Sequence, residues 1–256
     1  MLIAARNAMM VGGGWKNPYD TSDKALFAMW DADWNVGLGE NDPTSLNWVN
    51  LCGGLFPNMD LTVKDPDSGN YSPIGASYSA ENKAYYFPTS YCAFWSQKND
   101  YLQEINSWDT LTIVGRYKKQ ERYSDISVPY VCGFAIDEVY VLGYGTGQFI
   151  NNPTVSKNRR YDTISYNTFK TVALISSVND NSLLNVYNNA THLTSFSDWT
   201  TSSTKSGRLI IGSSWVSTGS VNDVYIQSIR IYKRALTENE VAYFTALDEE
   251  RFALPS

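Results

Sequence analysis

The chain reads as an all-β protein, a two-sheet antiparallel jelly-roll sandwich of the concanavalin A-like kind with one short C-terminal helix. Three observations predict it. Short β-branched and aromatic runs recur along the chain, separated by Gly, Asn, Asp, Ser and Pro. That is the spacing of sandwich strands, and no βαβ alternation appears. Aromatic residues make up 14% of the 256 residues, with 18 Tyr and 8 Trp, types that suit pleated sheets and carry polar tips to interfaces. Hydrophobic residues reach 43% against 18% charged, enough for a sizeable core and far from the composition of disordered or coiled-coil chains.

Taken in order, residues 1–20 read as an arm. Met1 to Val11 is apolar but interrupted by Arg6. No basic stretch precedes it, so it is a poor signal peptide. Gly12-Gly13-Gly14 is a hinge, and Trp15 to Tyr19 around Pro18 is a turn. The arm reads either as a docking or oligomerisation segment or as a first strand and loop of the same domain. Residues 21–256 form the sandwich domain, with no second boundary and no repeat of solenoid or propeller period. Its strand-like runs are Ala25–Trp30, Tyr85–Phe87, Thr110–Val114, Tyr130–Phe134, Val139–Leu142, Thr168–Ile175, Leu183–Tyr187, Arg208–Ile211 and Val224–Tyr232. The last alternates, predicting Val224, Ile226, Ser228, Arg230 and Tyr232 on one face and Tyr225, Gln227, Ile229 and Ile231 on the other. Thr237 with Glu240 three residues later is a capping box, and Val241, Phe244 and Leu247 form one apolar stripe. A helix over 238–251 follows, covering an edge or end of the sandwich.

Charge and cysteine content narrow the function. The net charge is −6 and the isoelectric point about 4.8, and no Lys/Arg cluster exceeds Lys118-Lys119 or Arg159-Arg160. A nucleic-acid surface needs a basic stripe to release counterions, so DNA and RNA are not expected partners. Cys52, Cys92 and Cys132 lie too far apart for a zinc signature or a disulfide framework; they read as three buried free thiols, with a single bridge as the alternative. No stretch approaches the roughly 18 apolar residues of a membrane span, so no membrane insertion is expected. Synthesis in the cytosol without a signal peptide follows.

The C-terminal stretch Ile226–Leu236, continuing through Thr237-Glu238-Asn239-Glu240-Val241, resembles the closing strand and helix start of the laminin-G-like family of concanavalin A-like lectin and glucanase domains. Leu209–Gly212, Leu184–Asn189, Leu111–Val114 and Leu26–Asp31 resemble its earlier strands, in the expected order. The resemblance covers nearly the whole chain outside the arm and implies the sandwich fold. It does not fix a function, because lectins, adhesion modules, glycosidases and lyases share this fold. Gln227 and Ser228 stand where the family often has acidic residues, which argues against a cation site there. Asn188-Asn189 stands at the family's tight hairpin turn. Trp30-Asp31-Ala32-Asp33-Trp34-Asn35, behind an apolar arm, resembles laminin-G-like proteins encoded by phages and prophages of gut bacteria. It implies a virion-associated protein exposed on an extracellular surface, with residues 1–20 contacting other virion or self subunits.

Retaining glycosidases need two carboxylates about 5 Å apart on one face, and the adjacent Asp137-Glu138 point to opposite faces of a strand. His192 sits in an Asn/Thr-rich loop after the hairpin, with no catalytic motif around it. The chain is therefore not expected to be an enzyme. Asp31, Asp33, Glu40 and Asp42 share a glycine-containing loop, and hard oxygen ligands of this kind suit calcium. Sugar binding needs aromatic side chains beside amides and carboxylates. Trp95, Gln97, Asn99 and Tyr101, with Asp198, Trp199 and Trp215, are the expected ligand residues, and Trp95, Tyr101, Trp199 and Trp215 should be exposed. The reading is a non-catalytic adhesion module for a glycan or other cell-surface ligand. The alternatives are a purely structural virion protein, such as a capsid decoration or tail component, and then a glycoside hydrolase.

Overall fold

The computed structural model describes residues 23–52, 60–62, 76–88, 94–96, 110–120, 130–136, 139–145, 148–151, 157–160, 167–177, 183–197, 208–212 and 223–253. The expected arm, residues 1–20, lies outside them. The strands are β1 (Leu26–Asp31), β2 (Asn47–Trp48), β3 (Leu61–Thr62), β4 (Ser77–Ser79), β5 (Ala84–Phe87), β6 (Phe94–Trp95), β7 (Thr110–Lys119) and β8 (Tyr130–Ile136). They continue as β9 (Val139–Gly145), β10 (Gln148–Asn151), β11 (Lys157–Arg160), β12 (Lys170–Ser177), β13 (Leu183–Asn188), β14 (Thr191–Phe196), β15 (Arg208–Ile211) and β16 (Val224–Tyr232). Among the described residues one α-helix, α1 (Glu238–Arg251), follows, and a short 3-10 turn at Ala32–Trp34 ends β1.

Among the described residues these strands form two antiparallel eight-stranded sheets, so the all-β sandwich is the observed fold. The first runs β14-β13-β12-β7-β16-β5-β4. Both β5 and β1 pair with β16, β5 along Val224–Ile226 and β1 along Ser228–Tyr232. The second runs β11-β10-β9-β8-β15-β6-β3-β2. Between the sheets lies the main core, which includes Trp30, Trp48, Phe87, Phe94, Ile113 and Ile229. Tyr85, Trp48 and Phe94 pack at its centre, with Tyr85–Phe94 ring centroids 4.7 Å apart. Burying such rings supplies the main driving force for closing the sandwich. Gly212, just after β15 at φ 86°, faces Phe87 so closely that a Cβ would lie 2.1 Å from the ring. Only glycine fits both that backbone and that approach.

The alternation of β16 breaks once. Ile226 pairs with Tyr117 but Ser228 with the preceding Arg116, so Gln227 is an extra residue in a bulge. The phase therefore flips. Val224, Ile226, Ile229 and Ile231 all enter the inter-sheet core, whereas Tyr232 lies in a second core on the opposite face. A strict two-residue period puts Ile226 and Ile229 on opposite faces, and the bulge corrects it.

Helix α1 forms as its sequence predicts. The Thr237 hydroxyl accepts from the Glu240 backbone N–H, and the Glu240 carboxylate accepts from the Thr237 N–H at 2.7 Å, closing two of the helix's open donors. It covers the outer face of the first sheet rather than an edge or end of the sandwich. Val241 and Leu247 are buried with Val114, Ala173, Ile175 and Tyr232. The reason is local: β7 and β12 carry apolar residues outward as well as inward, and that face must be shielded from water. Burying Leu247 alone is worth about 2 kcal/mol. No helix of the described residues is long and apolar enough to cross a membrane.

Candidate ligand-binding surface

Of the residues expected to hold a sugar, Gln97, Asn99, Tyr101, Asp198, Trp199 and Trp215 lie outside the described residues. Trp95 is described, and it is not exposed. It sits on β6 between β3 and β15, pairing with Thr62 and Ile210 at 4% exposure. Its neighbour Phe94 enters the inter-sheet core, so Trp95 points to the opposite face of the second sheet and is covered there as well. The Ser96 hydroxyl, accepting from the Leu209 N–H at 2.8 Å, fixes the strand there.

The four acids expected in a calcium loop fall into different settings. Asp31 is buried, its carboxylate capping the 3-10 turn by accepting from the Asp33 N–H at 2.8 Å. Arg251, from the last turn of α1, pairs with Asp31 at 3.3 Å and donates to Asp33 at 2.9 Å. Its guanidinium lies 3.9 Å from the ring centre of Trp34. The Tyr78 hydroxyl donates to the other Asp33 oxygen at 2.6 Å; burial and the Asp33 carboxylate push its phenol upward. Asp42 is exposed, and the Thr44 hydroxyl at 2.7 Å holds its carboxyl below the ordinary range. Glu40 is exposed beside it. Asp31 and Asp33 thus anchor the helix end, and among the described residues no group of three or more acidic, Cys or His side chains is gathered for a metal. Cys52 is a free buried thiol, as expected, and burial pushes it up to about 12. Cys92 and the side chain of Cys132 lie outside what is described.

His192 is on β14 rather than in a loop. Its Nε2 lies 3.0 Å from the Ser195 hydroxyl, which donates to Asn185 Oδ1 at 2.6 Å. The Ser195 hydroxyl, on the exposed edge strand, thus bridges His192 and Asn185.

The arrangement best suited to a ligand was not singled out from the sequence. It lies on the outer face of the first sheet, past the end of α1. Ser77, Tyr86, Tyr225 and Lys118 are paired in register across β4, β5, β16 and β7, and Phe169, just before β12, extends the row. Tyr86 and Tyr225 stack at 4.6 Å and 25°. The Lys118 ammonium lies 4.6 Å from the Tyr225 ring centre and 4.8 Å from that of Phe169. It donates to Asn82 Oδ1 at 2.6 Å, and the Tyr86 hydroxyl donates to Asp223 at 2.8 Å. Partial burial lowers the Lys118 ammonium from its ordinary value, with Glu81 opposing. Ser77 is exposed and the other four are half-buried. Each neighbour fixes the next, so the row offers hydroxyl and ammonium tips and ring edges in one preset arrangement. The adjacent residues of Tyr85-Tyr86-Phe87 and Lys118-Lys119 were visible as sequence. Their alignment across four strands was not, because it depends on pairing.

No family model matches the chain, and no curated protein matches it. Solved structures do. Trypanosoma rangeli sialidase in complex with sialic acid is 11% identical with a TM-score of 0.59, covering 90% of this chain and 34% of its own. A structure on cell entry of botulinum neurotoxin type C, dependent upon interaction with two ganglioside molecules, is 8% identical with a TM-score of 0.55, covering 70% and 48%. The binding domain of botulinum neurotoxin DC in complex with rat synaptotagmin II is 10% identical with a TM-score of 0.52, covering 74% and 48%. The chain thus spans about a third of the sialidase chain and about half of the toxin chains. At these identities the likeness is one of fold, shared by enzymes and binding domains alike. None of these matched proteins is named as a virion component.

Proposed function

We propose that the chain is a non-catalytic carbohydrate-recognition module that reads a cell-surface glycan on the outer face of its first sheet. The observation that carries this is the row Tyr86, Tyr225, Lys118 and Phe169, half-exposed and locked by ring and cation contacts. Sugars are held where apolar ring surface adjoins a few fixed polar groups, and here the Lys118 ammonium, bonded to the Asn82 amide, lies against the Tyr225 and Phe169 rings. Rigid aromatics lose little side-chain entropy on binding, which favours affinity from a small surface. The sialic acid and ganglioside bound by the matched sialidase and toxin support the same ligand class. Three of the described acids, Asp31, Asp33 and Asp248, are each paired with an arginine, which supports a structural role for them.

The test is a glycan-array screen of the full chain, with and without calcium, beside Lys118→Gln and Phe169→Ala. Selective binding that falls about tenfold or more in either variant, the loss of one good polar or stacking contact, is the expected result. Binding unaffected by both variants would move the site off this row. No binding of any glycan under either condition would overturn the reading.

A further inference from the structure

Lys118 is the one charged side chain among Ser77, Tyr86, Tyr225, Lys118 and Phe169, and its setting differs from that of three arginines nearby in the fold. Arg230, Arg234 and Arg251 each meet a carboxylate. Among the described residues the Lys118 ammonium meets none. Its hydrogen bond goes to the neutral Asn82 Oδ1 at 2.6 Å, and its other contacts are the Tyr225 and Phe169 rings. Scarcity of acids is not the reason, since the chain has 26 Asp and Glu against 20 Lys and Arg. Asp223 reaches the row but accepts from the Tyr86 hydroxyl at 2.8 Å, and Asp248 is held by Arg230 under the helix. Arg116, two residues earlier on the same face of β7, lies 6.0 Å from the Phe169 ring centre, so two cations adjoin one ring. Glu81, exposed in the turn between β4 and β5, acts on Lys118 in the opposite sense, and its effect is smaller than that of burial.

A half-buried cation gives up part of its hydration, and an opposite charge is what restores the loss. An ammonium has three donors, and the Asn82 bond takes one. An arriving anion would therefore restore the interaction that burial removed, without displacing a carboxylate already in place. A neutral sugar would not. The two rings and Asn82 hold the ammonium at a fixed point, so little ordering remains to be done on binding. We infer that the row selects acidic glycans, with a carboxylate or sulfate of the sugar on the Lys118 ammonium and its uncharged parts on the adjoining ring surface. The inference rests on the reading of the row as a glycan site and names the class of glycan. A hydrogen bond between charged groups is about twice as strong as a neutral one. Lys118 thus sets specificity, whereas the rings supply affinity common to acidic and neutral sugars.

The experiment measures affinities for matched pairs: glucuronyl, sialyl and sulfo-oligosaccharides, each beside its neutral parent. The full chain is compared with Lys118→Gln, Lys118→Arg and Glu81→Gln. The expected result is an acidic glycan bound about tenfold or more tightly than its parent, the scale of one hydrogen bond to a charged group. Lys118→Gln should lose that ratio and keep the weaker binding of the parent. Lys118→Arg, which keeps the charge, should retain the preference. Glu81→Gln should raise acidic affinity and leave neutral affinity unchanged. Preference for the sulfo member over the carboxylate members, or the reverse, identifies the anion and supports the inference either way. Neutral parents bound as tightly as their acidic partners overturn the inference and leave the glycan reading standing. An acidic preference that survives Lys118→Gln also overturns it, because the charge is then read elsewhere. If Lys118→Gln abolishes all binding, Glu81→Gln decides, and an unchanged acidic affinity there overturns the inference. No binding of any member by the unsubstituted chain removes the glycan reading itself, and this inference with it.

Discussion

The outer face of the first sheet is divided between two regions built from the same strands, one sealed under α1 and one open beyond it. Under the helix, Arg230 pairs with Asp248 at 1% and 0% side-chain exposure. Thr171 donates to Asp248 at 3.1 Å, and Arg116 donates to Thr171 and to Gln227 at 3.1 and 2.8 Å. Beyond the helix, the next positions on those strands are Tyr225, Lys118 and Phe169, held by stacking and cation–ring contacts. The difference teaches how one sheet serves two ends. Buried charge needs specific carboxylate and hydroxyl partners and so fixes the helix position. The half-buried row is held instead by ring and cation contacts, with single hydrogen bonds from Tyr86 to Asp223 and from Lys118 to Asn82.

The largest expected effect tests that division. Asp248→Ala removes the carboxylate from a buried arginine and should cost about 3–5 kcal/mol, read from urea unfolding. Lys118→Gln in the open row should cost about 1 kcal/mol or less, the scale of a partly exposed cation–ring contact. Similar costs at the two sites would mean that the open row is a structural seam like the sealed one. A double substitution, Arg230→Met with Asp248→Leu, should recover most of the loss, because an apolar pair leaves no unpaired buried charge.

How far the sequence could be read follows the range of each signal. The helix was legible to its boundaries because Thr237, Glu240 and the Val241–Phe244–Leu247 stripe are local. The sandwich class was legible because many short runs agreed. The bulge at Gln227 is not legible in the sequence, because a bulge exists only relative to the partner strand, here at the Tyr117–Arg116 step. The hairpin turn lies one residue later than the Asn188-Asn189 pair suggests. Asn188 pairs with Thr191, and the two turn residues are Asn189 and Ala190. The acids of one loop looked like a single ligand set, yet Asp31 and Asp33 were taken by Arg251, a residue more than two hundred positions away. The row of Tyr86, Tyr225, Lys118 and Phe169 is likewise assembled from distant segments, and composition could indicate only that such aromatics were available.

A smaller effect tests the exposed rim of the sealed region. Arg234 donates to Glu240 at 2.6 Å and to Asp23 at 2.9 Å, each side chain about a third exposed. The Arg234 guanidinium, with the Thr237 cap, holds the Glu240 carboxyl down at about 2. A carboxyl lowered by folding contributes stability above its unfolded value. That contribution shrinks as pH falls from about 4.5 toward 2. Glu240→Gln keeps an amide able to complete the capping box while removing the charge. It should cost at most about 1 kcal/mol at pH 7 after solvent screening, with the gap closing by about pH 2. A gap that persists in acid would place the loss in the cap rather than in the ion pair.

The smallest expected effect is a gain. Asn189 and Ala190 both take positive φ, at 45° and 65°, the pattern of a two-residue hairpin turn that favours glycine at its second position. Alanine there carries a left-handed backbone cost of roughly 1–2 kcal/mol, part of which Ala190→Gly should relieve. The added freedom of glycine in the unfolded chain offsets some of that, leaving a net gain of about 0.5–1 kcal/mol and a rise of about 2 °C in Tm. The turn is docked to the sealed region, with the Asn189 side chain accepting from the Thr171 N–H at 2.9 Å and the Asn189 N–H donating to the Thr171 carbonyl at 2.8 Å. Relieving its strain should therefore reinforce the network around Thr171 and Asp248 and leave glycan affinity at the open row unchanged. A change in that affinity would show that the two regions are coupled through β12 rather than independent.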